Sequence, residues 1–451
     1  MDKVLLVTID SLRADHVGYH GYERDTTPVL DGYAADGSRF MNAFAHVGGT
    51  RFSFPSILTG VTPLMYGGHH SVSEEQTLVS EVFDDAGFRT GGYHSNLYIS
   101  AEFGYDRGWD EFFDSAPDDS TTASFRRWAK TNLQNTPIYG LLQQAYDFIE
   151  SSAGVNVGSY HAPAEDITDK GIEFVDSVGS DEPAFLWVHY MDVHHPFLPP
   201  AEYQQQFRDD VVSDRQSIKL RRKFIEEPDA VTDEELQTFI DLYDAEIRYN
   251  DAEIGRLLEH VESEWGEDYL LAFTADHGDH FLEHGYFGGA RALDVKTHVP
   301  LFVNGWDDDA EYDDMVGLVD VPSTLVDAAG LDIPDTFHGH SLRSLVFDDE
   351  WPREDVIGGW FDGDGNHLCV RERDWKLIER PGDNADELYD LVSDPGEQRN
   401  VFGDHPDLTE RLREKLDRHR QLVRSTEDES VERPDMNEDV KERLRRLGYK
   451  E

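Results

Sequence analysis

Four short segments concentrate residue types that bind cations and move protons. The first, TIDSLRADHVGYHGY (Thr8–Tyr22), holds Asp10, Arg13 and Asp15. The second is GGTRFSFPSILTG (Gly48–Gly60). The third, WVHYMDVHHPF (Trp187–Phe197), carries His189, Asp192, His194 and His195. The fourth, FTADHGDHFLEHG (Phe273–Gly285), carries Asp276, His277, Asp279, His280, Glu283 and His284. Carboxylate and imidazole together suit a hard or borderline divalent cation. A hydroxyl brought to that cation loses its proton more readily and becomes a nucleophile. Gly48-Gly49 allows a tight turn that delivers a Thr or Ser to a helix start, where a phosphate or sulfate is also favoured. Each segment alone has a plainer explanation. An Asp after a strand caps a turn, Thr50 can be an ordinary N-cap, and His194-His195 before Pro196 can sit in a surface turn. Agreement of all four in strand-end position favours chemistry.

The elements that must position them follow from apolar periodicity. Buried strands are expected at Lys3–Ile9, Arg89–His94, Ala184–Tyr190, Tyr269–Thr274 and Val299–Asn304. Helices are expected at Thr26–Asp36, Glu74–Asp85, Ala164–Val178, Thr232–Glu262 and Val319–Ala329. Continuously apolar strands alternating with helices indicate an α/β fold, a mainly parallel sheet covered on both faces. Open sheets of this kind place their sites just beyond the carboxyl ends of the strands. Asp10 and Asp276-His277 stand there. The stretches 115–160 and 203–233 break the rhythm and read either as insertions capping the site or as surface excursions, the latter being the expectation taken. Beyond about residue 345 the strands shorten, at Val356–Phe361, His367–Glu372 and Trp375–Glu379, and a helix follows at His405–Arg424. The expected organisation is a catalytic domain over 1–345 and a small antiparallel subdomain over 346–425. An acidic linker with a short terminal helix then fills 426–451.

Composition narrows the function further. The 451 residues include 93 Asp and Glu against 40 Lys and Arg, a formal net charge of −53. Only 10 of the basic residues are Lys. Such a field excludes a nucleic-acid binder that works by neutralising phosphates. The acid is spread along the chain rather than gathered in a tail, the pattern expected of a protein from a salt-accumulating cell. One cysteine, Cys369, leaves no internal disulfide and no multi-cysteine metal site. The apolar run Val4–Ile9 is too short for a signal peptide, and no stretch has the length of a membrane span. A cytoplasmic location is the expectation.

The opening IDSLRADHVGYHGY, the STLVDAAGL segment followed by HGHSL, TADHGD, and the C-terminal ELYDLVSDPGEQRNV together resemble the sulfatase family of the alkaline phosphatase superfamily, in a halophilic archaeal type. The resemblance implies an α/β/α sandwich with a small C-terminal subdomain and a covalent intermediate at a metal. Counting back from Thr59-Gly60 puts Thr50 at the nucleophile position, where sulfatases that use formylglycine need Cys or Ser. Ser53-Phe54-Pro55-Ser56 lies three residues too late and lacks the Arg. Ser11 stands where a second acid is usual, and Gly288-Gly289 stand where a Lys or His is common. The metal ligands implied are Asp10, Thr50, Asp276 and His277, holding one ion (Mn, Zn, Mg or Ca, with the His favouring Mn or Zn). Asp279, Glu283 or His284 would hold a second. Thr50 is the expected nucleophile, and His194 serves the transferred group or leaving oxygen. Arg13, His189 and His298 are further candidates. The function expected is a hydrolase or transferase of phosphate or sulfate esters, phosphodiesters favoured, acting on a small molecule or a glycan or lipid head group. A true sulfuric ester hydrolase and a non-catalytic anion- or glycan-binding protein are the alternatives.

Overall fold

The computed structural model describes residues 1–67, 71–114, 161–285, 287–348, 351–362, 365–382 and 386–426. The excursion expected at 115–160, nearly all of the acidic linker and the short terminal helix lie outside them. In chain order, β1 (Lys3–Ile9) and α1 (Pro28–Ala35) precede β2 (Ser38–Phe44), α2 (Thr50–Thr59), α3 (Val79–Asp85), β3 (Arg89–Tyr93) and β4 (Glu111–Phe113). Next come α4 (Ala164–Ser177), β5 (Ala184–Tyr190), α5 (Ala201–Phe207), α6 (Asp214–Glu226) and α7 (Asp233–Trp265). β6 (Leu270–Ala275), α8 (Asp294–Thr297), β7 (Leu301–Asn304), β8 (Glu311–Gly317), α9 (Asp320–Ala328) and α10 (Leu342–Phe347) complete the larger part.

Every residue of β1, β5 and β6 is buried. Strands with no solvent face belong at the centre of a sheet covered on both sides. The sheet order is β4-β3-β5-β1-β6-β7-β2-β8. β1 runs parallel to both β5 and β6, and Ile9 is registered opposite Tyr190 on one side and Ala275 on the other. The residues that follow, Asp10 and Asp276, therefore leave the same edge side by side. α1, α4 and α5 pack with α7, which at 33 residues is about 50 Å long. α2, α3 and α10 pack with α9.

β7 departs from a parallel sheet by running antiparallel to β6 and β2. Among the described residues, no crossover helix returns the chain after β6. The described residues between β6 and β7 hold a 3-10 turn at Glu283–Gly285 and the four residues of α8, and the chain re-enters the sheet from the site edge. β2, β4 and β8 escape the apolar-run criterion. β2 (SRFMNAF) mixes polar and apolar residues, β4 has three residues, and β8 begins with exposed acids at the sheet edge. α3 starts at Val79 rather than Glu74, because Glu81 reaches back to accept the Leu78 N–H at 2.8 Å.

The 203–233 stretch is not the surface excursion expected. α6 opens on a Ser213–Gln216 capping box and buries Phe224. Phe224 stacks on Phe239 and meets Phe287 edge-on, with centroids 4.3 and 5.3 Å away. This anchor brings Arg221 onto His195, its Nε donating to Nδ1 at 2.9 Å. α6 is thus a wall of the site.

β9 (Asp355–Asp362), β10 (Gly365–Glu372), β11 (Trp375–Glu379) and β12 (Glu387–Asp390) form a separate antiparallel sheet, followed by α11 (Pro406–Ser425). The pleat sorts its residues by face. Leu368, Val370, Leu377 and Leu388 pack with Leu412 and Leu416 of α11. Cys369, Ile378 and Tyr389 face the other way, onto Val47, Ala292 and Leu293 beside the site loops.

Candidate active site

Asp10 ends β1 and Asp276 ends β6; both are fully buried. The ladder continues one residue past each strand, Asp10 N donating to Tyr190 O at 2.9 Å and Asp276 N to Ile9 O at 3.1 Å. Ser11 turns the chain away with φ 60°, in the left-handed region. It does not replace a carboxylate ligand. Its Oγ donates to Asp10 Oδ1 at 2.6 Å and its N–H to Asp276 Oδ1 at 3.1 Å. Tyr243 of α7 holds this turn, donating to Ser11 O at 2.7 Å and accepting from Arg13 N at 2.9 Å.

Thr50 is the first residue of α2, with Gly49 as its N-cap. Its Oγ1 donates to Asp10 Oδ2 at 3.1 Å and lies 3.3 Å from His277 Nε2. His277 Nε2 is 3.5 Å from Asp276 Oδ2. His277 Nδ1 is 2.7 Å from Gly278 O. A carbonyl only accepts, so Nδ1 carries the hydrogen and the Nε2 lone pair faces Asp10, Thr50 and Asp276. Fixing a ligand histidine through its other nitrogen is the usual support of a metal site. Asp276 Oδ2 is buried with no hydrogen-bond donor. Among the described residues, Asp10, Asp276 and His277 are the one buried group whose ligand atoms all lie within 4.8 Å of one another. An orphan carboxylate oxygen, a free imidazole lone pair and a hydroxyl fit a divalent cation.

The charges agree. Burial, then the neighbouring Asp10 carboxylate, pushes Asp276 well above the usual carboxylate range. Burial acts on Asp10 in the same direction, but His194, His277 and His189 together with the Ser11 hydroxyl outweigh it and bring Asp10 to about 2. Two buried carboxylates this close do not both ionise readily without a cation. Burial, then the Lys296 ammonium, lowers His277 to about 4, so it is the neutral ligand form at pH 7.

His194 is half-buried in the loop after β5 and interacts with both Asp10 and Asp279. His189 Nδ1 shares a hydrogen bond with Thr8 Oγ1 at 3.0 Å, and its Nε2 lies 3.9 Å from Asp10 Oδ2. Arg13 is spent on fixed partners. It forms a fork onto Asp15, reaches Glu283 Oε1 at 2.6 Å and donates to Asp279 O at 3.2 Å. His298 packs on Phe44 and bonds Met41 O at 2.9 Å. Ser53 is buried, its hydroxyl donated to Asp276 O at 2.6 Å, so it braces the metal-side loop. Asp279, Glu283 and His284 do not gather around a second ion. Asp279 pairs with Lys296 at 3.1 Å, Glu283 with Arg13, and His284 lies 3.5 Å from Gln398 Nε2.

Two residues of the site escaped the sequence reading. Asn96, just past β3, donates to Asp10 Oδ2 at 3.1 Å; its strand-end position was the available signal. Lys296 brings an ammonium to Asp279 from α8 rather than from the Gly288-Gly289 region. Its stem crosses Gly48, where a Cβ would meet Lys296 Cβ at 2.5 Å.

Residues 2–331 match the Sulfatase family, and residues 282–422 match the C-terminal region described as N-sulphoglucosamine sulphohydrolase, C-terminal. The chain belongs to the sulfatase family, whose members are metal-dependent ester hydrolases, and it is an enzyme of that class. It is 25% identical to an arylsulfatase of Clostridium perfringens, over 93% of each chain. Its fold is similar to BT4656 in complex with its substrate D-glucosamine-2-N,6-O-disulfate (TM-score 0.72, 17% identity, 95% of this chain and 99% of the other). It is also similar to a phosphonate monoester hydrolase of Agrobacterium radiobacter (TM-score 0.68, 19% identity, 93% and 96%).

Proposed function

We propose that this enzyme cleaves a phosphate ester, a phosphodiester in preference to a sulfate ester, through a covalent intermediate on Thr50. One observation carries the reading: Thr50 Oγ1 lies at the start of α2 between Asp10 Oδ2 and His277 Nε2, at 3.1 and 3.3 Å. Threonine cannot become formylglycine, so the aldehyde reopening that expels sulfate is closed to it. The likeness to a phosphonate monoester hydrolase supports phosphorus chemistry. Asp10, Asp276, His277 and Thr50 would hold one divalent cation, and the nitrogen ligand favours Mn or Zn. When bound, the ion eases loss of the hydroxyl proton and offsets negative charge on the ester oxygens.

The residues of the chain do the rest. The Thr50 Oγ–P bond forms in line as the bond from phosphorus to the leaving oxygen breaks. Asp10 Oδ2, which the hydroxyl faces at 3.1 Å, orients Thr50 for attack, and the Thr50 proton is released to solvent. His194 serves the leaving oxygen, and the Lys296 ammonium neutralises charge on the ester. Arg13 braces the Asp279 carbonyl. Water or an acceptor alcohol then attacks phosphorus and frees Thr50. A second reading, sulfuric ester hydrolysis of a sugar or aryl sulfate, draws on the C. perfringens arylsulfatase and the sugar disulfate bound by BT4656. The dispersed acid and the net charge of −53 support a role in the cytoplasm of a salt-accumulating cell.

Aryl phosphodiester, aryl phosphonate and aryl sulfate assayed side by side with Mn and with Zn decide between the readings. The phosphorus esters should turn over faster, and acid-quenched protein should carry phosphate on the peptide containing Thr50. Efficient aryl sulfate hydrolysis that survives Thr50→Ala overturns the assignment.

A further inference from the structure

Lys296 reaches the site from a helix of four residues, far too short to hold its own shape. Its first residue is gripped from the C-terminal sheet. Asp294 N donates to Glu397 Oε2 at 2.6 Å. Asp294 Oδ2 lies 3.0 Å from Arg371 Nη2, and Oδ1 pairs with Lys376 Nζ. Lys376 is fully buried, and its Nζ also lies 2.6 Å from Glu397 Oε1. Glu397 is 2% exposed and has φ 54°, a left-handed conformation that costs a non-glycine residue energy. It is the Glu of the Asp394-Pro395-Gly396-Glu397 run.

The far end of α8 is tied to the site loops. Gly278 N donates to Lys296 O at 2.8 Å, and Ala45 N to Thr297 O at 2.7 Å. Apolar Val47, Leu293, Trp360 and Ile378 cluster beside the charges. They already supply the cohesion that docking needs. Buried ion pairs add little net stability over well-packed apolar groups. What such a network adds is a fixed geometry, and the residue two positions on is Lys296, 3.1 Å from Asp279.

We propose that Glu397, Lys376, Arg371 and Asp294 form a clamp by which the C-terminal sheet holds the Lys296 ammonium at the ester site. They are positioning residues. The proposal rests on the ester-cleaving reading above, in which Lys296 faces the substrate anion.

The test is a double-mutant cycle on the full-length, metal-loaded enzyme. Glu397→Gln keeps the side-chain volume and removes the charge, with Arg371→Gln as the second variant should the first not fold. With Tm and metal content held near wild type, kcat should fall about tenfold and inhibition by orthovanadate should weaken in parallel. In a Lys296→Met background the same change should alter kcat less than about twofold, because the clamp acts through Lys296. Losses that simply multiply overturn the clamp. Crystal structures of the variants read it without turnover. Lys296 Nζ displaced from Asp279 supports the clamp, and Nζ still at 3.1 Å overturns it. A wild-type enzyme that turns over no ester refutes the reading of the site instead, and the structural arm then decides the clamp alone.

Discussion

The side chain of Lys296 lies across the bare Cα of Gly48, two residues before Thr50. A Cβ at Gly48 would stand 2.5 Å from Lys296 Cβ, 2.7 Å from its Cε and 2.9 Å from Arg291 O. The glycine is thus needed for close approach, and Gly48 N also donates to Arg291 O at 2.9 Å. Gly48→Ala should cost about 1–3 kcal/mol through overpacking. It should also lower kcat more than Gly49→Ala, whose Cβ meets nothing closer than 3.5 Å. Urea unfolding and steady-state kinetics on both variants measure this.

Thr50 and Ser53 should separate cleanly. Thr50→Ala should lose at least ~10³-fold in kcat, as for a missing nucleophile, with stability little changed. Ser53→Ala should keep most of its activity. Removing the hydroxyl leaves Asp276 O without its buried donor, a cost of about 1–2 kcal/mol that thermal unfolding will show.

Asp276→Asn keeps the shape and the acceptor that takes the Ser11 and His277 N–H groups, at 3.1 and 2.7 Å in wild type. The variant should fold and lose its metal, measured by elemental analysis. Chelation should lower Tm in wild type, because a ligand bound only to the folded state stabilises it. It should leave the variant's Tm unchanged.

His46 joins the two sheets. Its Nδ1 gives its hydrogen to Ile357 O at 2.7 Å, and its Nε2 accepts from Val319 N at 3.2 Å. Burial lowers its pKa to about 4 from the usual 6.5. The unfolded chain therefore binds more protons here between those values. The contribution of His46 is fully present above pH 6.5 and is lost as pH falls towards 4. His46→Gln should flatten the fall of Tm across that window relative to wild type.

The net charge of −53 sets the salt response. Screening shortens from about 10 Å at 0.1 M to about 3 Å at 1 M, so self-repulsion should relax and Tm should rise markedly from low salt to molar KCl. A midpoint indifferent to salt removes the halophilic reading.

The meeting of Asp10 with Asp276 and His277 was legible in the sequence because strand ends depend on local pattern, whereas the choice of Thr50 rested on the sulfatase-like register counted back from Thr59-Gly60. Continuous apolar runs identify β1, β5 and β6, and polar residues at their ends need only a parallel register to meet. Gly48-Gly49 marked the turn into α2 for the same reason. The antiparallel return at β7 and the Lys296 ammonium at the site were not legible, and the sequence left 203–233 open between a cap on the site and a surface excursion. Arg221 reaches His195 across 26 residues, and Lys376 meets Asp294 across 82. Nothing in the spacing of a lysine on a four-residue helix separates it from a solvated one. Its meaning arises when Gly48, Asp279 and the C-terminal sheet close around it. Local pattern follows from hydrophobic periodicity and turn chemistry, which neighbours along the chain decide. Charge placement in a buried site follows from burial and from partners far apart in sequence, which only the packed tertiary structure brings together.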